Sequence, residues 1–453
     1  MGFDNSTVPT RTSRGMQRRV FWSSFVGTTV EWYDFFVYGL AAALVFGDLF
    51  FPTFDPVVGT LSAFATFAVG FLARPLGGIV FSHLGDRHGR KSALVGSLLL
   101  MGAATVLVGL LPSYESIGVM APVALVLLRF CQGFAVGGEW GGAVLMAVEH
   151  ASSQRRGLAG SYPQMGVPAG LILASTAFIG LSPLSDAQFA AWGWRVPFLA
   201  SGVLVVAGLL IRLGVAETPE FAKLRARNGA VRHPVIAALR NNPKNILLAA
   251  AMRQETTVFY VVVTFAVSYG TDQVGVTRTV MLNGTLLAAA VTLFTLPLFG
   301  ALSDRFGRRA LFRLGAASAI VFALPFFTLL DTGEPVLIYL ALIVGLGVVH
   351  ASMYAPEAAF FSELFGAEVR YSGASLGYQL GSVVGGLAPL IGASLLIAGH
   401  GSPIYVIAYV TGLQVITFIG ATLAPDTRRS ASTFSADQQF EPTVADKPGP
   451  AFT

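Results

Sequence analysis

The sequence predicts an all-α polytopic membrane protein with twelve transmembrane helices in two six-helix halves. Hydrophobic residues make up 54% of the 453 positions and charged residues only 12%, whereas soluble domains carry about 25% charged residues. About twelve apolar runs reach the roughly 20 residues that a bilayer-spanning helix needs. These runs are too long for barrel strands, and only helices or closed barrels satisfy their backbone in lipid.

The predicted spans alternate with short polar loops. In chain order they are Val20–Phe46, Val57–Ser82, Ser92–Leu111, Ile117–Val148, Leu158–Leu181, Trp194–Val215, Asn245–Gly270, Arg278–Leu302, Ala310–Leu330, Pro335–Phe361, Arg370–Ala398 and Ser402–Ala424. We therefore expect an N-terminal segment over 1–19, a first half over 20–215, a central loop over 216–244, a second half over 245–424 and a disordered tail over 425–453.

Basic residues indicate how the chain crosses the bilayer. They precede helix one, follow helices two, four and eight, and fill the central loop, whereas the alternate loops are mainly acidic. Because cytoplasmic loops carry the excess of lysine and arginine, we predict a multi-pass cell-membrane (inner or plasma membrane) protein with both termini in the cytoplasm. This topology explains the net charge of +5 better than binding to nucleic acid does.

Two motifs recur at nearly the same separation. The loop Gly85–Lys91, with sequence GDRHGRK, has a counterpart in Ser303–Arg309, with sequence SDRFGRR, and their aspartates lie 218 positions apart. Glu149 with Arg156 and Glu363 with Arg370 share one internal spacing and are separated by 214 positions. Such agreement predicts a duplicated six-helix unit, and many secondary transporters place their site between two repeats.

These motifs resemble those of the major facilitator superfamily, and more closely its metabolite:proton symporter family. The resemblance runs from about Arg18 to Arg429 and lies closest to the shikimate-transporter and proline–betaine-transporter-like members. It rests on VEWYDF from Val30, RPLGG from Arg74, RFCQGFAVGGEW from Arg129, WGWRVPF from Trp192, RYSG from Arg370 and GYQ from Gly377. The loop in the first half departs from the family pattern, because Ser82 stands where glycine is usual.

The resemblance implies a cytoplasmic gate made of charged residues. Asp86 would face the start of helix eleven and Arg90 would pair near Glu149, with Asp304, Arg308 and Glu363 doing the same in the other half. The full set of gating candidates is Asp86, Arg87, Arg90, Glu149, Arg156, Asp304, Arg305, Arg308, Glu363 and Arg370. Alternatively, these charges serve only topology.

Charges within predicted spans are functional candidates because lipid makes them costly. At about 1.5 Å per residue, Glu31, Asp34 and Arg129 all lie roughly 17–21 Å into the bilayer, so Arg129 can pair with either acid. An acid that exchanges an arginine for a proton would couple transport to proton entry, and Asp34 is slightly favoured over Glu31. The alternative is a permanent structural ion pair.

Further polar residues are candidates for substrate binding or, equally, for holding helices together. Arg253 and Glu255 lie two positions apart and are expected to point to different faces, with Arg253 reaching an anionic substrate or extending to the cytoplasmic surface. His350 could relay protons or be a neutral buried histidine. The complete set is Arg129, Tyr33, Gln132, Glu139, Trp140, Gln164, Arg253, Gln254, His350, Tyr378 and Gln379.

The sequence contains no Walker loop, no metal-ligand cluster and no sign of a cofactor, an enzyme site or an obligate protein partner. It therefore predicts a secondary transporter that moves a small molecule with protons. The substrate favoured by the resemblance is an organic acid such as a shikimate-like carboxylate, taken up by symport. A proline or betaine symporter and a proton-antiport exporter are the alternatives.

Overall fold

The computed structural model describes residues 14–53, 56–181, 183–213, 234–366 and 368–427. Ten helices in these ranges are long and apolar enough to cross a membrane, and a bent pair in helix one makes eleven. The remaining predicted span, helix five, is interrupted at Met165, between Arg156–Gln164 and Gly166–Ile179. The twelve-helix membrane fold is therefore confirmed.

The other helices have the following bounds. In the first half they are Arg14–Ala41, Pro56–His88, Arg90–Leu110, Met120–Glu149 and Arg195–Leu213. In the second half, helix seven runs through consecutive segments from Pro243 to Val274, and helix ten from Pro335 to Glu363. Helices eight and nine are Arg278–Phe306 and Arg308–Leu330, helix eleven joins Arg370–Gly386 to Ala388–Ala398, and helix twelve is Ile404–Leu423.

The duplicated loop forms the same turn in both halves. Gly89 and Gly307 have φ angles of 113° and 101°, and each amide donates to the carbonyl four residues earlier. Only glycine adopts such angles without steric cost. The DRxGR sequence therefore contains a one-residue break between two helices, and its glycine is required by the backbone.

Two expectations about the middle of the chain need correction. Part of the predicted loop 216–244 is helical, because Pro234–Asn241 forms a helix and helix seven begins at Pro243. Proline at a first helical position has no amide to leave unsatisfied and starts both helices. Residues 214–233, 1–13 and 428–453 lie outside the described residues, so the domain boundaries there stay predictions.

The two predicted halves meet along helices two with eleven, five with eight and ten, and four with ten and eleven. Within the first half, helices two and four approach closely because small residues face each other. A Cβ at Gly70 would lie 2.7 Å from Nε of Arg129. Because Gly70 has no side chain, the buried Arg129 guanidinium can lie directly against helix two.

Candidate functional site: buried charges between the helices

Asp34 lies at the centre of the first half and is fully buried. It accepts hydrogen bonds from the hydroxyl of Thr105 on helix three, at 3.0 Å, and from Ser201 on helix six. Thr105 also lies 3.0 Å from the carbonyl of Met101. The carboxylate is thus held by hydroxyl groups, which can reverse their donor direction when a proton arrives.

Arg129 reaches Asp34 through two intermediates. Its NH1 donates to Oε1 of Gln132 at 3.2 Å, and Nε2 of Gln132 donates to Thr105 at 2.9 Å. Of the two acids that the sequence offers to Arg129, Asp34 is therefore not a direct partner, and the predicted depths in the bilayer stay predictions. Helical spacing allows this arrangement, because Arg129 and Gln132 are three residues apart and share a face.

The rest of the Arg129 guanidinium has aromatic surroundings. Its central carbon lies 4.2 to 4.9 Å from the ring centroids of Phe35, Tyr38 and Phe67. Nε and NH2 are buried and have no hydrogen-bond partner within the described residues. The rings attract the guanidinium charge, but they leave Nε and NH2 available to donate hydrogen bonds.

Arg74 on helix two is a second arginine of this kind, and the sequence analysis assigned it no role. Only 1% of the residue is exposed, and its Nε and NH2 are also buried without partners in the described structure. Its guanidinium lies 4.5 Å from Phe71, 5.0 Å from Phe35 and 5.8 Å from Trp32. The rule that flagged Arg129, a charge inside a predicted span, would also have flagged Arg74.

The second half contains a buried arginine that, in contrast to Arg129, has carboxylate partners. Arg253 forms ion pairs with Glu255 and with Oε2 of Glu357, the latter at 3.1 Å. It also donates to Ser382 at 3.0 Å and to the hydroxyl of Tyr378 at 2.8 Å. Its side chain is 2% exposed, so the expected extension to the cytoplasmic surface is wrong.

The prediction that Arg253 and Glu255 do not pair is also wrong. Helix seven becomes a 3-10 helix over Arg253–Glu255. With three residues per turn, positions two apart are separated by about 120° around the axis, instead of about 160° in an α-helix. The long arginine side chain covers the remaining distance.

Glu357 on helix ten was missed by the sequence analysis. It follows Glu139 by 218 positions, the separation already found between the duplicated loops, so the repeat would have revealed it. Its Oε1 is buried without a partner among the described residues. About two turns earlier on the same helix, His350 places Nε2 3.0 Å from Oε2 of Glu255.

Four candidate residues connect the halves. The rings of Trp140 and Tyr378 stack with centroids 3.8 Å apart. Gln164 accepts from Nε1 of Trp140 at 3.3 Å and donates to the carbonyl of Tyr354 at 3.1 Å. Gln379 donates to the carbonyl of Gly137 at 2.9 Å. The aromatic pair thus joins the arginine cluster of the second half to helix four.

Other candidates have partners within their own half. Tyr33 donates to the carbonyl of Pro197 at 2.8 Å, and Glu139 accepts from Ser97 at 2.9 Å. Gln254 donates to the carbonyl of Ala250 at 2.8 Å. Glu31 is buried one turn before Asp34. These positions suit helix packing, and their predicted roles in transport stay predictions.

Charged contacts join the helix ends on the side of the protein that the sequence predicts to be cytoplasmic. Asp304 accepts from the amides of Gly157 and Leu158 at 2.8 and 2.9 Å, at the start of helix five, where the helix dipole favours an anion. Arg370 pairs with Glu149 at 3.5 Å.

Arg308 contacts both Asp304, at 2.7 Å, and Glu363, at 3.4 Å. These are the contacts expected in the second half. Arg87 and Arg305 are exposed and Arg156 is half-buried. The side chains of Asp86 and Arg90 lie outside the described part of the chain.

A match to a known protein family assigns the chain to a superfamily. The sequence profile of the Major Facilitator Superfamily matches residues 24–389. The chain belongs to this superfamily. Its members are transporters, so this protein is a polytopic membrane transporter and not an enzyme.

Relatives place it among transporters of small metabolites. It is 42% identical to the Shikimate transporter of Escherichia coli, over 94% of this chain and 100% of that protein. It is 33% identical to the Proline/betaine transporter of the same species, over 92% of this chain and 85% of that one. The predicted resemblance to these two branches is confirmed.

Solved structures support the fold. The proton:xylose symporter XylE superposes with a TM-score of 0.76 over 92% of this chain and 97% of that chain, at 15% identity. Several relatives, including an inner membrane metabolite transport protein of Escherichia coli that is 40% identical over 92% of this chain and 96% of that protein, are bacterial membrane transporters. The orientation of the termini stays a prediction.

Proposed function

We propose that the protein takes up a small organic acid together with protons, by alternating access between its halves. The observation that carries the proposal is the buried guanidinium of Arg129, which has two donors without partners. Arginine stays protonated when it is buried, so this site holds a positive charge that no carboxylate contacts within the described residues. A substrate carboxylate can occupy both donors of such a fork at once.

Arg74 supplies a second cation for the same anion. The guanidinium carbons of Arg74 and Arg129 lie 5.0 and 4.9 Å from the Phe35 ring centroid, so they are separated by no more than about 10 Å, the sum of the two distances. Two like charges at this separation repel each other in a medium of low dielectric constant. An anion between them would remove that cost.

Proton coupling is assigned to Asp34 through its hydroxyl partners. When Asp34 is ionised, Thr105 donates to it; when a proton binds Oδ2, that oxygen becomes the donor. Thr105 can then direct its own proton to the carbonyl of Met101, which is already 3.0 Å away. The change alters the hydrogen bond from Gln132 to Thr105, and Gln132 also holds Arg129. One proton is thereby linked to the residue proposed to bind substrate.

The principal alternative is a proline or betaine symporter, because relatives of that type are 33–34% identical. A quaternary ammonium group binds best over open aromatic faces. Here Trp32, Phe35 and Phe71 already lie around the guanidinium of Arg74. This arrangement favours an anion over a betaine.

Binding measurements test the carboxylate site. We expect Arg129→Lys and Arg74→Lys each to weaken binding of radiolabelled shikimate to the purified protein by tenfold or more, about 1.4 kcal/mol. Lysine keeps the charge but loses the fork. The matched control is Arg240→Lys, which changes an exposed arginine and should bind as the parent does.

The methyl ester of shikimate provides a test that does not depend on how well the variants fold. It lacks the negative charge and should not compete with shikimate in the parent protein. Competition by betaine and by the ester, combined with unchanged shikimate affinity in Arg129→Lys, would contradict the organic-acid assignment.

A further inference from the structure

A cluster of ionisable groups in the second half is separate from the Asp34 network. It consists of Arg253 and Glu255 on helix seven, and His350 and Glu357 on helix ten, and each is at most 3% exposed. Ion pairs join all four: Arg253 to both glutamates, and Glu255 to His350 at 3.0 Å. The cluster has no contact with Asp34 among the described ion pairs and hydrogen bonds.

The charges within the cluster do not balance without a proton. Two carboxylates share the single permanent cation Arg253, so with a neutral His350 the four side chains carry a net charge of −1. An unbalanced buried charge is strongly unfavourable, and such a group takes up or releases a proton instead. Histidine next to a carboxylate is well suited to accept it.

Neighbouring groups do not provide the missing cation by direct contact. Tyr354 and Tyr378 face the cluster from helices ten and eleven, and Tyr260 lies close on helix seven. Arg74 on helix two is near enough to interact electrostatically with Tyr378, but its Nε and NH2 form no hydrogen bond in the described structure. Among the described residues, the ion-pair partners of the two glutamates are therefore Arg253 and His350.

Three atoms of the cluster are available to receive or hand on a proton. Nδ1 of His350, Oε1 of Glu357 and Oε2 of Glu255 are buried and make no hydrogen bond in the described ranges, although Oε2 of Glu255 lies 3.0 Å from Nε2 of His350. His350 and Tyr354 also line a small cavity with Phe259, Leu171 and Leu296, between helices five, seven, eight and ten. The imidazole thus lines a cavity whose walls come from helices of both predicted halves.

We propose that Glu255, His350 and Glu357 form a second proton-binding site, held in place by Arg253. The proton is shared between the His350 imidazole and the Glu255 carboxylate, and Glu357 accepts it when His350 is neutral. Arg253 also donates to Tyr378, whose ring stacks on Trp140 of the first half. Protonation of the cluster is thereby linked to the contact between the halves.

The proposal rests on the proposed proton coupling, but it can fail separately, because its test needs no substrate. We would record infrared difference spectra of the purified protein between mildly acidic and mildly alkaline buffer. The Asp34→Asn variant removes the first site. We expect it to retain a pH-dependent signal from a buried carboxylic acid or an imidazolium.

Second variants assign that signal. Adding His350→Gln or Glu357→Gln to Asp34→Asn should remove or shift it, whereas adding His88→Gln, an exposed histidine, should remove only a solvent-exposed imidazole band. Glu357→Gln retains the size and one hydrogen-bond acceptor for Arg253, and a preserved melting temperature would show that it folds. A difference spectrum that neither cluster substitution changes would overturn the proposal.

Discussion

The two halves each bury an arginine near the centre of the protein, but they neutralise it differently. Arg253 contacts two glutamates, a serine and a tyrosine, whereas Arg129 contacts one glutamine amide and three aromatic rings. The first is satisfied by the protein itself, and the second has donors to spare. The two arginines are 124 positions apart, so they are not counterparts in the repeat of 218 positions, and their surroundings differ accordingly.

The largest expected effect of this difference concerns stability. Removing Arg253 leaves two buried carboxylates without their cation, which costs about 3–5 kcal/mol. Removing Arg129 strands no carboxylate, so its cost should be much smaller. We expect Arg253→Gln to lower the melting temperature in detergent far more than Arg129→Gln does. Equal melting temperatures would show that the two arginines are not used differently.

Proton coupling through Asp34 should show the second largest effect. One proton moving down a pH gradient of one unit supplies about 1.4 kcal/mol, a tenfold accumulation. We expect Asp34→Asn to lose gradient-driven accumulation of shikimate in proteoliposomes while retaining exchange of labelled for unlabelled substrate. Thr105→Ser, which keeps the hydroxyl, is the matched control. Accumulation by Asp34→Asn at the parent level would transfer the coupling role to Glu31 or to the second half.

The cytoplasmic contacts should show a smaller effect. Asp304→Asn removes the charge that faces the helix five amides and should weaken the seal by about 1 kcal/mol. Cys131 is the only native cysteine, so a Cys131→Ser background allows labelling of Ser161→Cys, a residue that is buried beside Gly300. We expect faster labelling from the cytoplasmic side when Asp304→Asn is added. An unchanged labelling rate would leave Asp304 with a topological role only.

The stacked pair between the halves should give the smallest effect. Aromatic pairs contribute about 0.5–1.5 kcal/mol beyond their buried area. Trp140→Leu should therefore destabilise, by that amount, the conformation in which this stack forms. It should also raise the Michaelis constant for uptake severalfold. Trp22→Leu, which changes an exposed tryptophan, is the control. A larger loss in the control than in Trp140→Leu would contradict the role of the stack.

Much of the fold follows from the sequence, because lipid imposes simple rules. Long apolar runs must be helices, and the DRxGR repeats predicted a duplicated six-helix unit, with which the similar φ angles of Gly89 and Gly307 agree. Charges within the spans directed attention to Asp34, Arg129 and Arg253. These features depend on composition and local geometry, which one chain is sufficient to reveal.

The partners of those charges were harder to predict. Ser201 and Thr105 are ordinary residues in their own helices, and only the packing of helices one, three and six brings them to Asp34. The pairing of Arg253 with Glu255 depends on a local 3-10 turn that no sequence pattern predicted. Tertiary contacts of this kind are set by helix rotation, and a rotation of a few tens of degrees exchanges one partner for another.

Uptake under an imposed pH gradient tests the central claim most directly. Parent protein in proteoliposomes, acidic outside, should accumulate radiolabelled shikimate or a related carboxylate, and the accumulation should collapse when the gradient is dissipated. Other small carboxylates should compete, and betaine should not. Accumulation of betaine in place of the acids, or loss of preloaded acid from the vesicles against its own gradient, would contradict organic-acid symport.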